Sequence, residues 1–405
     1  MNQQDSSLTM KAALENYWAR IKAGDMGALP ATLGLLALCI VFGFMSDVFL
    51  TPGNFANLLT QAASVTVIAM GLVFVLLLGE IDLSAGYASG VSGAVLVILI
   101  TRHGQPWWLA LIVSVIFGAL LGFLIGTLVA RVGIPSFVVT LATFLAFQGL
   151  LLLLAGEGGT IRIEDPTILA VQNNNLSPFN SWVLFVILGI AYIIVGLSKI
   201  NSRRKAGLIS ELKKLWALKT TALLTIGALA VWALNLERSN NPKLVSLKGT
   251  PIVVPVILAL LICGTFVLSR TAYGRHIYAV GGNAEAARRA GIDVKKIRIS
   301  AFVICSAFAA VAGMLFASRQ NSISPTTGGS STLLYAVGAA VIGGTSLFGG
   351  KGRLRDAILG GLVVAVIDNG MGLLGYAAGI KFIVTGFVLL VSAGVDAVSR
   401  KGSSN

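Results

Sequence analysis

Twelve long apolar runs constrain the fold of this 405-residue chain more than any other feature of its sequence. A membrane-spanning helix needs about 20 mostly apolar residues, because a helix rises about 1.5 Å per residue and the hydrocarbon core is about 30 Å thick. Only 11% of the residues are charged, against roughly 25% in soluble domains, so a water-soluble fold could not bury this much apolar surface. The runs lie near residues 30–49, 62–79, 84–101, 107–130, 135–155, 181–199, 216–235, 251–269, 299–318, 332–347, 356–376 and 380–396.

The runs predict an all-α fold, a polytopic transmembrane helical bundle of about 10–12 spans within a single domain at 30–396. Helices are expected because a lipid-exposed backbone must satisfy its own hydrogen bonds, and the runs lack the alternation of barrel strands. The run at 332–347 is short and rich in glycine, which indicates a half-helix or a broken helix.

The distribution of Lys and Arg predicts that both termini are cytoplasmic. With the N-terminus inside, 23 of the 30 Lys and Arg residues lie on the cytoplasmic side. Omitting one span would move one of the two most basic loops, 199–219 or 270–298, to the other side. Residues 1–29 carry apolar side chains at helical spacing, which predicts an interfacial amphipathic segment or, alternatively, a solvated tail. Residues 397–405 form the cytoplasmic C-terminal tail.

Charge, cysteine and histidine exclude several kinds of site. The net charge of +14 is dispersed among the loops, so nucleic acid is not an expected partner. Cys39, Cys263 and Cys305 lie inside apolar runs without CxxC spacing, and His103 and His276 lie in different loops. This arrangement predicts no disulfide framework, no metal site and no catalytic triad, and we expect no cofactor.

Two glycine-rich patterns lead to different predictions, one about helix packing and one about ATP binding. Gly118, Gly122 and Gly126 are spaced four residues apart in one run, which predicts that another helix packs closely against them. The stretch GGTSLFGGKG at 343–352 resembles a phosphate-binding loop but departs from its pattern. Thr345 stands where the first Gly is required, and Gly352 stands where Ser or Thr must follow the Lys. The mismatch predicts that the chain does not bind ATP itself.

Carboxylates stand out from the apolar background at two places. Glu80 and Asp82 lie in the segment GEIDLS, although a carboxylate in the membrane costs about 2.5–3.5 kcal/mol. Either Asp82 and Ser84 cap the next helix, or the carboxylates line a polar path; both interpretations stay open. An Asp-Asn pair lies deep in the eleventh run and also allows two interpretations. It either forms structural hydrogen bonds between helices or takes part in transport. The candidate residues of a translocation path or gate are Glu80, Asp82, Ser84, Asp368 and Asn369.

The basic loop at 270–298 contains a candidate docking element. Asn283 can cap a short helix at 284–290 that Gly291 closes, with the flexible Gly281-Gly282 pair before it. Its alanines would give a flat surface that enters a partner's groove, and its charged side chains would make contacts at the rim. The alternative is an ordinary positively charged loop with an incidental helical turn. The candidate docking residues are Gly282, Asn283, Glu285, Ala286, Ala287, Arg288, Arg289 and Gly291.

Five motifs follow one another along the chain: GEIDLS at 79–84, PSFVVTLAT at 135–143, YGRHIYAVGGNAEAARRAGI at 273–292, VIGGTSLFGGKG at 341–352 and DNG at 368–370. They resemble the membrane permeases of bacterial ABC importers for sugars such as ribose, galactose and xylose. The resemblance extends from about residue 50 to 396, in the family's order. It implies a homodimeric channel in the cytoplasmic (inner) membrane, with cytoplasmic ATPase subunits that bind ATP and an extracytoplasmic sugar-binding protein. It also implies that Glu285, Ala286, Ala287 and Gly291 belong to the loop that couples ATPase and channel.

Residues 200–250 carry a long basic loop and an additional apolar run, an insertion that is similar to the xylose-type branch of the family. The resemblance therefore implies a non-enzymatic permease subunit of an ATP-driven importer for D-xylose or a related pentose or hexose. The alternative class is a secondary transporter or channel that needs no partner. Such a protein would use Glu80, Asp82 and Asp368 as an ion relay.

Overall fold

The computed structural model describes residues 29–156, 159–206, 213–239 and 241–402, and most of these residues are helical. The amphipathic segment expected at 1–29 lies outside the described residues apart from Leu29. Two short strands pair antiparallel, β1 (Ile161–Arg162) with β2 (Ser322–Ile323). The helices, in chain order, are α1 (Leu29–Met45), α2 (Pro52–Leu76), α3 (Ala85–Thr101), α4 (Trp107–Thr127), α5 (Ser136–Ala155), α6 (Pro166–Asn173), α7 (Pro178–Lys205), α8 (Lys213–Asn235), α9 (Val253–Arg270), α10 (Ala272–Gly282), α11 (Ala284–Arg289), α12 (Val294–Gln320), α13 (Ser330–Ile342), α14 (Leu354–Leu373) and α15 (Ala378–Gly402).

Twelve of these helices coincide with the twelve apolar runs, which confirms a polytopic helical bundle. Within the described ranges, eight helices are long and apolar enough to cross a membrane, and four shorter apolar helices, α1, α3, α13 and the first part of α15, accompany them. The 13 residues of α13 extend only about 20 Å, less than the hydrocarbon core of about 30 Å. The short run at 332–347 is therefore a half-helix, as predicted.

The start of α2 was predicted wrongly. We placed its apolar run at 62, whereas the helix begins at Pro52, ten residues earlier. Pro52 occupies the first helical position, and the Thr51 side chain accepts the Asn54 N–H at 3.3 Å. Polar residues such as Asn54 in this first part of the helix made it look like a loop.

In the larger of two compact units, residues 29–174 and 251–397, α12 lies at the centre and packs against α2, α3 and α4. The three spaced glycines of α4 face it, as their spacing predicts. A Cβ on Gly118 would lie 2.7 Å from the Ser306 carbonyl oxygen, and a Cβ on Gly122 would collide with the Phe302 carbonyl oxygen. The two helix backbones are therefore in direct contact.

The smaller unit contains residues 175–250, and thus the segment identified as an insertion. It contains the helices α7 and α8, and the loop that follows α8 is organised by Glu237. The Glu237 carboxylate accepts the Leu247 N–H at 2.9 Å and the Ser246 hydroxyl at 2.7 Å, and it also accepts the Ser239 N–H. These hydrogen bonds lower the pKa of Glu237 to about 2.

Backbone hydrogen bonds join the two ends of the segment 175–250, which begins before the insertion identified at 200–250. Within the smaller unit, the Leu176 N–H donates to the Thr250 carbonyl at 2.8 Å. Within the larger unit, the Ile252 N–H donates to the Asn174 carbonyl at 3.1 Å. The chain therefore leaves the larger unit and returns to it at adjacent residues.

Candidate functional site

The candidate docking helix forms as the sequence predicts. In α11, the Asn283 side chain accepts the Ala286 N–H at 2.9 Å, and Gly291 follows the helix with a φ of 83°. This left-handed conformation favours glycine. The preceding residues differ from the expected loop, because 272–282 form α10, a helix that the sequence analysis did not predict.

The exposed face of α11 differs from the expectation at one position. Ala286 is exposed, but Ala287 is only 5% exposed and packs into the core of the larger unit. The prediction that both alanines form the docking surface was therefore wrong for Ala287. Its side chain instead packs α11 against the core of the larger unit. On a helix, adjacent residues point about 100° apart, so the two alanines cannot share one face.

Charged side chains of α11 are paired with each other. The Glu285 carboxylate accepts hydrogen bonds from Arg288 at 2.8 and 3.0 Å and from Arg289 at 3.2 Å. These hydrogen bonds hold the pKa of Glu285 below its ordinary value. All three side chains are largely exposed, so their ion pairs contribute little to stability. The paired side chains form a charged exposed surface next to Ala286.

Three of the recognised motifs meet beside α11. The C-terminal end of α10 at Gly281 lies against the Leu77 carbonyl oxygen, which also accepts the Gly350 N–H at 2.8 Å. The Tyr278 hydroxyl donates to the Gly352 carbonyl at 2.7 Å and adds a second contact between α10 and the segment 343–352. The Gly281-Gly282 pair is thus not a flexible hinge, because Gly281 is packed between two backbones.

In the GEIDLS segment, Asp82 is bound to a residue of the same segment. Asp82 is fully buried, and its Oδ1 accepts the Ser84 backbone N–H at 2.9 Å and the Ser84 hydroxyl at 2.6 Å. Asp82 therefore forms a turn directly before α3. Ser84 was expected to accept a hydrogen bond from a backbone N–H group of that helix, but instead its hydroxyl donates to Asp82, and its side chain makes no capping hydrogen bond.

Glu80 faces a different partner. Its Oε1 lies 3.3 Å from Nε of Arg298, the residue that leads from the basic loop into the membrane part of α12. The neighbouring Ile81 is held by α5, since its carbonyl accepts the Thr140 hydroxyl at 3.3 Å and its N–H donates to Ser136 at 3.4 Å. The PSFVVTLAT motif thus joins the same end of the bundle, so four of the five motifs meet there.

The fifth motif, DNG at 368–370, lies elsewhere, and its two polar residues have different partners. Asn369 is buried and forms reciprocal amide hydrogen bonds of 2.9 Å with Asn54 of α2. Its role is therefore structural hydrogen bonding between helices. Asp368 is about half exposed and forms an ion pair of 3.3 Å with Lys381 of α15. The sequence analysis missed Asn54, Arg298 and Thr140. A membrane-proximal carboxylate such as Glu80 does signal a cationic partner, but its position cannot be read from local sequence.

Removing either charge of the Glu80–Arg298 pair should destabilise the protein. Both side chains are mostly buried, so Glu80→Gln or Arg298→Gln loses a charged interaction of about 1–3 kcal/mol. We expect a lower melting temperature of the detergent-solubilised chain for each reversal, Glu80→Arg or Arg298→Glu. The double reversal should recover part of this loss. If the double variant is as unstable as the two losses added together, the pair does not interact.

Comparison with known proteins gives the chain's relatives. The family described as the permease component of branched-chain amino acid transport systems matches residues 54–393. The xylose transport system permease protein of Escherichia coli K12 is 36% identical over 98% of both chains. Its counterpart in Haemophilus influenzae is 33% identical over 92% of this chain and 97% of the relative.

Relatives with lower identity are named as permeases for other sugars. The ribose import permease protein of Bacillus subtilis is 29% identical over 92% of this chain and 94% of the relative. No solved structure matches at a significant level. Because the family match covers most of a chain that is built from apolar helices, the protein is a multi-pass membrane protein and belongs to this family of transport-system permeases.

Proposed function

We propose that this chain is the permease subunit of an ATP-driven ABC importer for a monosaccharide, with D-xylose as the expected substrate. The family description names amino acids, but the relatives that match along almost the whole chain are named as xylose, ribose and allose permeases. Among these, the xylose permeases have the higher identities, 36% and 33%. The insertion 200–250 supports the same branch.

The observation that carries the proposal is the placement of α11. This short capped helix exposes Ala286 next to the paired side chains of Glu285, Arg288 and Arg289, and its base rests where four motifs meet. A small exposed residue beside a group of charged side chains suits insertion into a groove of another protein. We assign this docking role toward the ATPase to Gly282, Asn283, Glu285, Ala286, Arg288 and Gly291.

ATP is bound by the partner subunit in this proposal, and the chain needs no cofactor of its own. A phosphate-binding loop offers its backbone N–H groups to phosphate oxygens. In the segment 343–352, the Gly350 N–H donates to Leu77, and the Ser346 N–H donates to the Lys351 carbonyl at 2.9 Å. These amides are used within the fold, which favours an ATPase outside this chain.

An ion relay through the chain has less support. Glu80 pairs with Arg298, Asp82 binds Ser84, and Asp368 pairs with Lys381. Asp368 also lies 14 residues along α14 from its first residue, which corresponds to about 21 Å. The three carboxylates therefore do not form a continuous chain of proton-accepting groups, and a secondary transporter or channel is not favoured.

The complete importer would be assembled around the bilayer of the bacterial inner membrane. Two copies of this chain would form the passage, two ATPase subunits would bind on the cytoplasmic side, and a sugar-binding protein would deliver the substrate from outside. The basic loop that contains α11 would then lie inside, with both termini, as the positive-inside rule predicts. ATP binding would close the ATPase subunits, move α11, and open the passage toward the loaded binding protein; hydrolysis would reset it.

Reconstitution tests the proposed function. Proteoliposomes that contain this chain, its ATPase and its sugar-binding protein should accumulate radiolabelled D-xylose only when ATP is present on the ATPase side. Vesicles with the chain alone are the control, and they should show no uptake with either ATP or a proton gradient. Uptake by the chain alone, driven by a proton gradient, would show that it is a secondary transporter.

A further inference from the structure

Three turns of the backbone meet at one point beside the docking helix. We call this contact the glycine junction and define it by Gly79, Gly281, Gly349 and Gly350. Gly79, Gly349 and Gly350 have φ values of 72°, 83° and 72°, a left-handed conformation that other residues rarely adopt. Gly281 is the penultimate residue of α10. The junction thus brings together three segments that are far apart in sequence.

No side chain separates these backbones. A Cβ on Gly281 would collide with the Leu77 carbonyl oxygen and would lie 2.9 Å from the Gly350 nitrogen. A Cβ on Gly349 would lie 2.9 Å from both the Gly281 carbonyl oxygen and the Gly79 nitrogen. The Gly350 N–H donates to Leu77 at the same point. A contact between side chains can absorb a displacement by changing rotamers, whereas directly touching peptide groups cannot.

Each of the three segments of the junction lies at the end of a helix or between two helices. Gly281 is followed within two residues by Asn283, the cap of α11. Leu77 follows the last residue of α2, a helix that is buried over most of its length. Gly349 and Gly350 lie in the segment that connects α13 with α14. A displacement of α11 that carries α10 with it therefore pushes on the ends of three helices at once.

We infer that the glycine junction transmits the movement of α11 to α2, α13 and α14, and that Gly281 is the positioning residue of this transmission. The inference rests on the proposed function, because it requires an ATPase that moves α11. It assigns Gly281 a role distinct from docking. Docking depends on the exposed face of α11, whereas transmission depends on the backbone contact beneath it.

The substitution Gly281→Ala tests the inference in the assembled importer. The added methyl group must push α10 away from Leu77 and Gly350, so α11 remains available but its movement is no longer passed on. We expect the ATPase to co-purify with the variant, while the number of sugar molecules taken up per ATP hydrolysed falls by about tenfold or more. A role in stability alone would lower the amount of protein without changing this ratio.

The matched control is Gly53→Ala, at the other end of α2. A Cβ on Gly53 meets no atom within 4 Å, so this variant should keep the wild-type ratio within about twofold. A wild-type ratio in Gly281→Ala would overturn the inference. Loss of the ATPase from Gly281→Ala would also overturn it, because the residue would then shape the docking face. If the wild-type chain binds no ATPase, the proposed function fails, and the inference fails with it.

A second measurement needs no variant, and it tests transmission through the glycine junction even if Gly281→Ala does not accumulate. Hydrogen exchange of the wild-type importer is followed by mass spectrometry with and without a non-hydrolysable ATP analogue. We expect exchange to change together in peptides that cover 76–82, 279–291 and 346–352. A change in 279–291 that leaves both other segments unaltered would show that the movement bypasses the junction.

Discussion

Replacement of Ala286 by Trp should abolish ATP-driven sugar uptake while leaving the chain folded in the membrane. Ala286 is exposed in α11 and flanked by the charged side chains of Glu285, Arg288 and Arg289. An indole group there would hold the partner's groove away from these side chains. If α11 supplies the central contact, its loss costs about 3 kcal/mol or more, and ATPase co-purification should fall by about 100-fold.

Two Trp substitutions serve as controls for this experiment. Ala287→Trp places the same group one residue on, at a buried position, and should lower the melting temperature and the yield of the chain itself. Ala377→Trp adds it to an exposed position between α14 and α15, where neither stability nor ATPase binding should change. Wild-type ATPase binding by Ala286→Trp would rule out α11 as the docking element.

The second large effect is expected from Gly122→Leu in the bundle core. The glycine lies against the backbone of α12 at Phe302 and Val303, and the gap between α4 and α12 has no space for a side chain. Leu would force the two helices apart along a contact that continues through Gly118 and Gly126. We expect a loss of more than about 3 kcal/mol, seen as a chain that fails to accumulate or melts far below wild type.

Gly149→Leu is the matched control for this substitution. Gly149 also lies within a membrane helix, α5, but a Cβ there meets no atom within 4 Å. The variant should therefore have wild-type yield and melting temperature. Equal loss in both variants would mean that leucine is harmful at any helical glycine of this chain, independently of packing against α12.

Much of the architecture could be predicted because it depends on local features. A continuous apolar run specifies a membrane helix by its length, and an Asn before a short helix specifies a cap, as at Asn283. The spacing of Gly118, Gly122 and Gly126 likewise needs no knowledge of the partner helix. The failure at Pro52 has the same origin, because polar residues at the start of α2 interrupt the local apolar pattern.

The remaining site depends on partners that are distant in the chain. Glu80 meets Arg298 and Asn369 meets Asn54 only after folding, so Glu80 and Asn369 viewed locally each allowed two roles. The inward orientation of Ala287 could not be predicted either, because six residues of helix are too few to show a periodic pattern. The glycine junction leaves no side-chain signal at all, since its contacts are between backbones.

The hydrogen bond between Ile252 and Asn174 has a consequence for how proteins of this kind can change in length. A segment whose two ends lie side by side can be gained or lost as a cassette, because joining the flanking residues requires no rearrangement of the remaining helices. Residues 175–250 satisfy this condition and lie together in the smaller of the two compact units. Adding two membrane helices does not change the side of the bilayer on which the chain continues, so such an addition leaves the orientation of the helices that follow it unchanged.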